Sequence, residues 1–278
     1  MPADGIGLAR IEFIISNNIK IHPMALINID KVKSKEARKQ ILELTANYTT
    51  KEDYFVENLA RDISLIAASQ YPKPVIVRFS DFKTNEYSNL IGGATFEPVE
   101  DNPMIGWRGA SRYYDENYRD AFALECQAIK YVREKIGFKN VIVMVPFCRT
   151  LGEADAVLKE MKKQRLIPGQ NGLQVYVMAE IPANIILAEE FADRFDGFSI
   201  GSNDLTQLTL GIDRDSHKLS SIFNAADPAV VSSIRDLIKR AHRKKAKVGL
   251  CGQAPSDNPE YARILVDAGI DSLSVTPD

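Results

Sequence analysis

No stretch of this 278-residue chain approaches the run of about 20 apolar residues that a membrane-spanning helix needs. Cysteine is scarce. Cys126, Cys148 and Cys251 are odd in number and widely spaced, which excludes a disulfide framework and closely spaced zinc ligands. A reducing, cytoplasmic home fits that usage. His22, His217 and His242 are scattered and form no metal-site pattern. Excess charge is missing too: 35 Lys and Arg face 37 Asp and Glu, a net charge of −2, so neither nucleic acid nor a membrane is expected as partner. The start, MPADGIGLAR, lacks a basic stretch leading into an apolar one and does not read as a secretory signal. There is no linker, low-complexity tract or repeat, so one domain over 1–278 is expected.

What is present is an alternation. Short, nearly continuous apolar runs fall at 5–13, 74–81, 104–109, 141–147, 173–181, 196–204, 246–253 and 271–277. Such runs suit parallel strands covered on both faces. Between them lie amphipathic segments. One, at 51–71, spaces Phe55, Leu59, Ile63 and Ile66 as a helix does. Others span 117–137, closing at Gly137, and 150–166, with Thr150 as N-cap and Glu153 at the capping-box position. Three more are expected at 182–195, 227–245 and 258–269, with a helical piece near 33–47. Eight strands alternating with helices predict an α/β fold, a (β/α)8 TIM-type barrel that stops short of its last helix. A doubly wound open sheet is the competing architecture.

Barrel active sites stand at the C-terminal ends of the strands. Arg10, Glu12, Arg78, Asp81, Arg108, Arg112, Cys148, Arg149, Glu180, Ser202, Asn203, Asp204, Cys251 and Gln253 are expected there. Each has a plain structural explanation. Asp81 could cap a turn, Asn203 and Asp204 the next helix, and Arg78 could pair with Asp81. Cys251 could be a small buried apolar residue. Glu180, inside VMAEIPA, is harder to dismiss, because a carboxylate among apolar neighbours is costly to bury alone. As a set these residues suit one chemistry. Glu180 and Asp204 offer hard oxygen ligands for Mg²⁺ or Mn²⁺. The arginines suit phosphate, carboxylate or a developing oxyanion. Cys251, in the glycine-flanked GLCGQ, could move a proton. The reading is an enolate site for a small phosphorylated or carboxylated acid.

The segments GLARIEF, RGASRY, AEIPAN, GSNDLTQLTLGIDRDS and CGQAPSD together resemble the C-terminal PEP/pyruvate-binding domain of the PEP-utilising enzymes, over nearly the whole chain. VIVRFSDFKTNEYSNLIGG and DNPMIGWRG resemble the phosphoenolpyruvate synthase (pyruvate, water dikinase) branch more than its relatives. The resemblance implies the pyruvate/PEP half-site of a phosphotransferase. A phosphoryl group would pass between a phosphohistidine on another domain and the Mg²⁺-bound enolate of pyruvate. It implies Arg10, Arg78 and Arg108 as substrate contacts, Glu180 and Asp204 as Mg²⁺ ligands, Gly201, Ser202 and Asn203 as further substrate contacts, and Cys251 as the proton donor. It also implies phosphohistidine and ATP-grasp domains as partners and a homodimer as the assembly. The ATP-grasp half and the histidine-bearing segment have no counterpart in these residues, so a partial enzyme is expected. The alternatives are a free-standing metal-dependent oxo-acid aldolase or lyase and a non-catalytic PEP-binding module.

Overall fold

In the computed structural model, which describes residues 3–275, seven parallel strands follow one another in chain order around the sheet. They are β1 (Ile6–Arg10), β2 (Val75–Arg78), β3 (Val141–Val145), β4 (Val175–Ala179), β5 (Gly197–Gly201), β6 (Lys247–Cys251) and β7 (Ser272–Ser274). Helices return the chain between them, the route that parallel pairs require. β7 comes round against β1, where a Cβ on Gly7 would stand 1.8 Å from Ser274 Oγ. The sheet is thus a nearly closed barrel, as the α/β alternation predicts. Among the described residues, no helix is long and apolar enough to cross a membrane.

The period-2 alternation of the strands sorts their side chains. Val141, Val143, Val145, Val175, Val177, Phe198, Ile200, Val248 and Leu250 join the large core between barrel and helices. Ile142, Met144, Tyr176, Met178 and Cys251 form a separate cluster inside the barrel, with Leu8 and Ile76 against it. Small residues at Gly197, Ser199 and Gly249 leave this interior room; a Cβ on Gly197 would lie 2.6 Å from the Tyr176 ring. At the upper ends of the strands the same parity turns Arg10 and Arg78, the last residues of β1 and β2, and Glu180, one step beyond β4, towards the barrel's upper interior.

Thr150 caps its helix as expected, and other helices start at caps of the same kind. Thr50 and Asp53 make a reciprocal capping box before Lys51–Gln70. Thr150, Asp227 and Asn258 accept first-turn N–H groups of Leu151–Lys163, Pro228–Arg243 and Pro259–Asp267. Glu153 takes the N–H of Arg149 at 2.6 Å, one residue before the expected box partner. Arg119–Lys130 continues into a π-helical turn and ends at Gly137, whose φ of 103° supplies the left-handed stop. The helix expected over 182–195 is two, Pro182–Ile186 and Ala188–Ala192, broken at Leu187. Lys35–Thr45 is the helical piece expected near 33–47.

One expected strand does not form. Residues 104–109 are a chain of turns, with Ile105 N–H bonded to Asn102 O at 3.3 Å and Gly106 N–H to Pro103 O at 3.3 Å. Pro103, Gly106 and Gly109 favour turns over a ladder. The barrel therefore has seven strands among the described residues, and positions 276 and 277 of the last expected run lie outside them. Gly109 presses this loop against the end of β3. Its φ of 56° and ψ of −135° suit glycine alone, and a Cβ there would sit 2.6 Å from both Phe147 Cβ and Pro146 O. Gly109→Ala is expected to cost at least about 2 kcal/mol. A urea midpoint equal to that of the wild type would show that the loop is not held this way.

Candidate active site

Eight of the nine residues singled out for a site line one cavity of about 420 Å³ at the C-terminal ends of the strands. They are Arg10, Arg78, Arg108, Glu180, Gly201, Asn203, Asp204 and Cys251. Ser202 is not among them. It is fully buried, its hydroxyl has no hydrogen-bond partner among the described residues, and a Cβ on Gly252 would lie 2.1 Å from it. Arg112 and Arg149 also stand elsewhere. Arg112 pairs with buried Glu97, which also bonds His22, and Arg149 pairs with Glu153.

The arginines are held by carboxylates. Arg78, the last residue of β2, donates to Glu12 Oε1 at 2.6 Å and faces Asp81 at 3.5 Å. Arg108 comes from the loop of turns. Its Nε and one terminal nitrogen donate to the two oxygens of Asp81 at 3.0 and 2.6 Å, a two-point bond. Its guanidinium lies 4.0 Å over the Phe147 ring and 3.5 Å from the Asp204 carboxylate. Burial alone would raise the Asp81 carboxyl, but Arg108 and Arg78 hold it below its ordinary value. Arg10 is exposed and its guanidinium lies 5.4 Å over Phe13.

Glu180, one residue past β4, is 1% exposed. Its Oε1 accepts the Phe147 N–H at 2.7 Å, and its other oxygen accepts no hydrogen bond among the described residues. That oxygen would lie 2.8 Å from a Cβ on Gly201, so only glycine leaves it space. Burial, then the Asp204 and Asp81 carboxylates, push the Glu180 carboxyl well above its ordinary value against the pull of Arg108 and Arg78. Asp204 is no helix cap. Helix Ser202–Leu210 starts directly from β5 with Gly201 at its N-cap, and Asp204 sits in its first turn, near the positive end of the helix dipole. Phe147 has a φ of 46°, rare for a bulky residue, and this strained turn delivers both its N–H to Glu180 and its ring to Arg108.

Cys251, the last residue of β6, is 5% exposed. Burial raises its thiol, while the Ser199 hydroxyl 3.2 Å away and Arg78 act in the opposite direction. Leu8 and Met178 line the cavity beside it.

Four participants had no site role in the sequence. Glu12 and Asp81 stood at strand ends, but their pairing with Arg78 and Arg108 depends on the fold. Phe147 only closed the apolar run at 141–147. Arg214, in GIDRD, lies ten residues beyond Asp204, and its guanidinium stands 3.5 Å from the Asp204 carboxylate. Its nearness to the SND turn was the available signal.

Formal charge in the cavity balances: Arg10, Arg78, Lys83, Arg108 and Arg214 face Glu12, Asp81, Glu86, Glu180 and Asp204. Two buried polar atoms here, Arg78 Nε and Glu12 Oε2, have no hydrogen-bond partner among the described residues. Among the described residues, no group of three or more His, Cys, Asp and Glu side chains could hold a metal. Glu180 and Asp204 are a pair of mutually repelling oxygen donors. That fits a divalent ion that completes its shell with water or ligand oxygens.

The family model for the PEP-utilising enzyme, PEP-binding domain, matches residues 1–278. Phosphoenolpyruvate synthase of Synechocystis sp. is 58% identical over 278 residues, covering 100% of this chain and 34% of the relative. The synthases of Deinococcus radiodurans and Escherichia coli are 52% and 48% identical, again over 100% of this chain and over 36% and 35% of their own length. The chain thus spans about a third of the length of the curated relatives it matches. Among solved structures, an HpcH/HpaI aldolase/citrate lyase family protein from Burkholderia cenocepacia aligns at a TM-score of 0.47 and 14% identity, covering 86% of this chain and 83% of that one. The match along its whole length places this chain in the PEP-utilising enzyme family, as its PEP-binding domain.

Proposed function

We propose that this chain is the pyruvate/phosphoenolpyruvate half-site of a phosphoenolpyruvate synthase. It exchanges a phosphoryl group between the enolate oxygen of pyruvate and a phosphohistidine carried by another domain of a longer polypeptide. The observation that carries this reading is the meeting of Arg78, Arg108, Glu180, Asp204 and Cys251 in one cavity. Curated relatives matching the whole chain are phosphoenolpyruvate synthases, which disfavours the free-standing lyase. The complete set of acid, carboxylates and arginines disfavours a non-catalytic module.

Glu180 and Asp204 would hold Mg²⁺, with Mn²⁺ as a substitute. The ion would supply positive charge to the oxygens of the bound oxo acid. The chain's own residues do the rest. Arg78 and Arg108 are kept charged and in place by Glu12 and Asp81, and they offset charge on the carboxylate and the transferring phosphoryl group. Arg10 and Arg214 stand nearer solvent and would meet the phosphoryl group as it arrives. Gly201 and Asn203 border the substrate where helix Ser202–Leu210 begins. Leu8 and Met178 give the methyl or methylene carbon an apolar wall. Cys251 keeps its proton in the ligand-free site because burial raises the thiol. Towards pyruvate it gives that proton to the methylene carbon; towards phosphoenolpyruvate its thiolate takes one from the methyl group.

Titration calorimetry on this chain is expected to show oxalate binding only when Mg²⁺ is present. Glu180→Ala should weaken that binding by more than about 100-fold, since even outer-shell partners of metal ligands are worth about 10–100-fold. Folded protein without metal-dependent binding would end the half-site reading. Cys251→Ser should keep the oxalate affinity and lose solvent exchange of the pyruvate methyl protons, followed by NMR in D₂O. Retained exchange would remove Cys251 from its role.

Glu180 also predicts a stability effect. A carboxyl raised in the folded state costs stability once the pH passes its ordinary value of 4.5, and the cost grows until the folded pKa is reached. Glu180→Gln removes the charge and keeps an acceptor for the Phe147 N–H. Without metal it should melt higher than the wild type at neutral pH, with the difference vanishing below about pH 4. A lower melting temperature at neutral pH would contradict the cost that burial and repulsion place on this carboxylate.

A further inference from the structure

Ser80 lies between the cavity residues Arg78 and Asp81, is fully buried, and does not line the cavity. Each of its polar groups is tied down. Its N–H donates to Glu125 Oε2 at 3.0 Å, and its hydroxyl bonds Glu125 Oε1 at 2.5 Å and the Tyr87 hydroxyl at 2.7 Å. Its carbonyl accepts from the Tyr113 hydroxyl at 2.7 Å. Glu125 comes from helix Arg119–Lys130, is fully buried, and does not border the cavity.

We infer that Glu125 is a positioning residue for the arginine pair: by holding Ser80 it places Asp81, and Asp81 places Arg108 and Arg78. The inference rests on the reading of this cavity as an anion site only where ligand binding is concerned. Flanking bonds complete the anchorage. Phe79 N–H reaches Met144 O on β3 at 3.0 Å, and Asp81 N–H reaches Glu12 Oε1 at 2.7 Å. Glu125 supplies the anchor on the helix side, between those two. An apolar residue would fill its space at lower desolvation cost, but it would leave the Ser80 N–H buried without an acceptor. Among the described residues no guanidinium or ammonium pairs with Glu125; its hydrogen-bond partners are the Ser80 N–H, the Ser80 hydroxyl and, at 3.5 Å, the Tyr118 hydroxyl. Burial pushes its carboxyl up to about 7, so a neutral side chain of the same shape fits the site. Glutamine can accept from the N–H and donate to the hydroxyl. Alanine and aspartate cannot reach both.

The test uses Glu125→Gln, Glu125→Ala and Glu125→Asp in this chain, each checked for folding by circular dichroism. The first measurement needs no ligand. The Arg108 Nε–H, bonded to Asp81 at 3.0 Å, should give a slowly exchanging ¹⁵N NMR signal in the wild type and in Glu125→Gln. In folded Ala or Asp variants it should exchange about tenfold faster or more. The second measurement is Mg²⁺-dependent oxalate affinity, well below the melting temperature. It should fall about tenfold or more in the Ala or Asp variant and stay within about threefold in Glu125→Gln. A lower melting temperature with an unchanged Arg108 signal would make Glu125 merely structural and overturn the inference. If Ala does not fold, Asp decides. Wild-type protein that binds no oxalate would reject the half-site reading, and the Arg108 signal would still decide the positioning role.

Discussion

Arg108 reaches the cavity on a loop of turns, and its two-point bond to Asp81 keeps it there. Much of the mouth is arranged around that pair. Asp81 also faces Arg78, and Arg108 also faces Asp204, so the pair links β2, the 104–109 loop and the start of helix Ser202–Leu210. Removing either member would leave the other buried charge with only its 3.5 Å contact, to Arg78 for Asp81 or to Asp204 for Arg108. With both in place, Arg108 and Arg78 partly offset the cost of placing Glu180 where almost no water reaches it.

Backbone geometry serves the same end. Gly109 lets the loop touch the end of β3, Phe147 turns through a positive φ, and Gly201 leaves room for the Glu180 oxygen. Each is a close approach that an ordinary side chain or dihedral would forbid. The strain at Phe147 has a visible return, since one residue supplies a hydrogen bond to Glu180 and a ring beneath Arg108. The floor below these groups is apolar, and the small inward residues of β5 and β6 keep a space open between floor and charges. The buried thiol of Cys251 stands at that boundary, beside Leu8 and Met178.

The barrel was legible because parallel strands covered on both faces write themselves as apolar runs. All five residues of β3, β4 and β5 are buried. Thr150 marked its helix start equally well, because a cap is satisfied within four residues of chain. The 104–109 segment misled because its apolar residues resemble a short strand, while Pro103, Gly106 and Gly109 favour turns. Ser202 was grouped with its neighbours in the GSND turn, yet its side chain faces Gly252. Glu153 missed its expected partner by one residue because the Arg149 N–H lies closer to its carboxylate.

By itself the sequence determined which polar residues gather at the C-terminal end of the barrel, where eight of the nine singled out line one cavity. Period-2 alternation and the C-terminal ends of strands are properties of the local chain. Tertiary structure alone decided the pairings: Glu12 with Arg78, Asp81 with Arg108, Phe147 with Glu180 and Glu125 with Ser80. Those contacts join residues 27 to 66 positions apart. No local pattern encodes them, because each depends on how neighbouring strands and loops are brought together when the sheet curls.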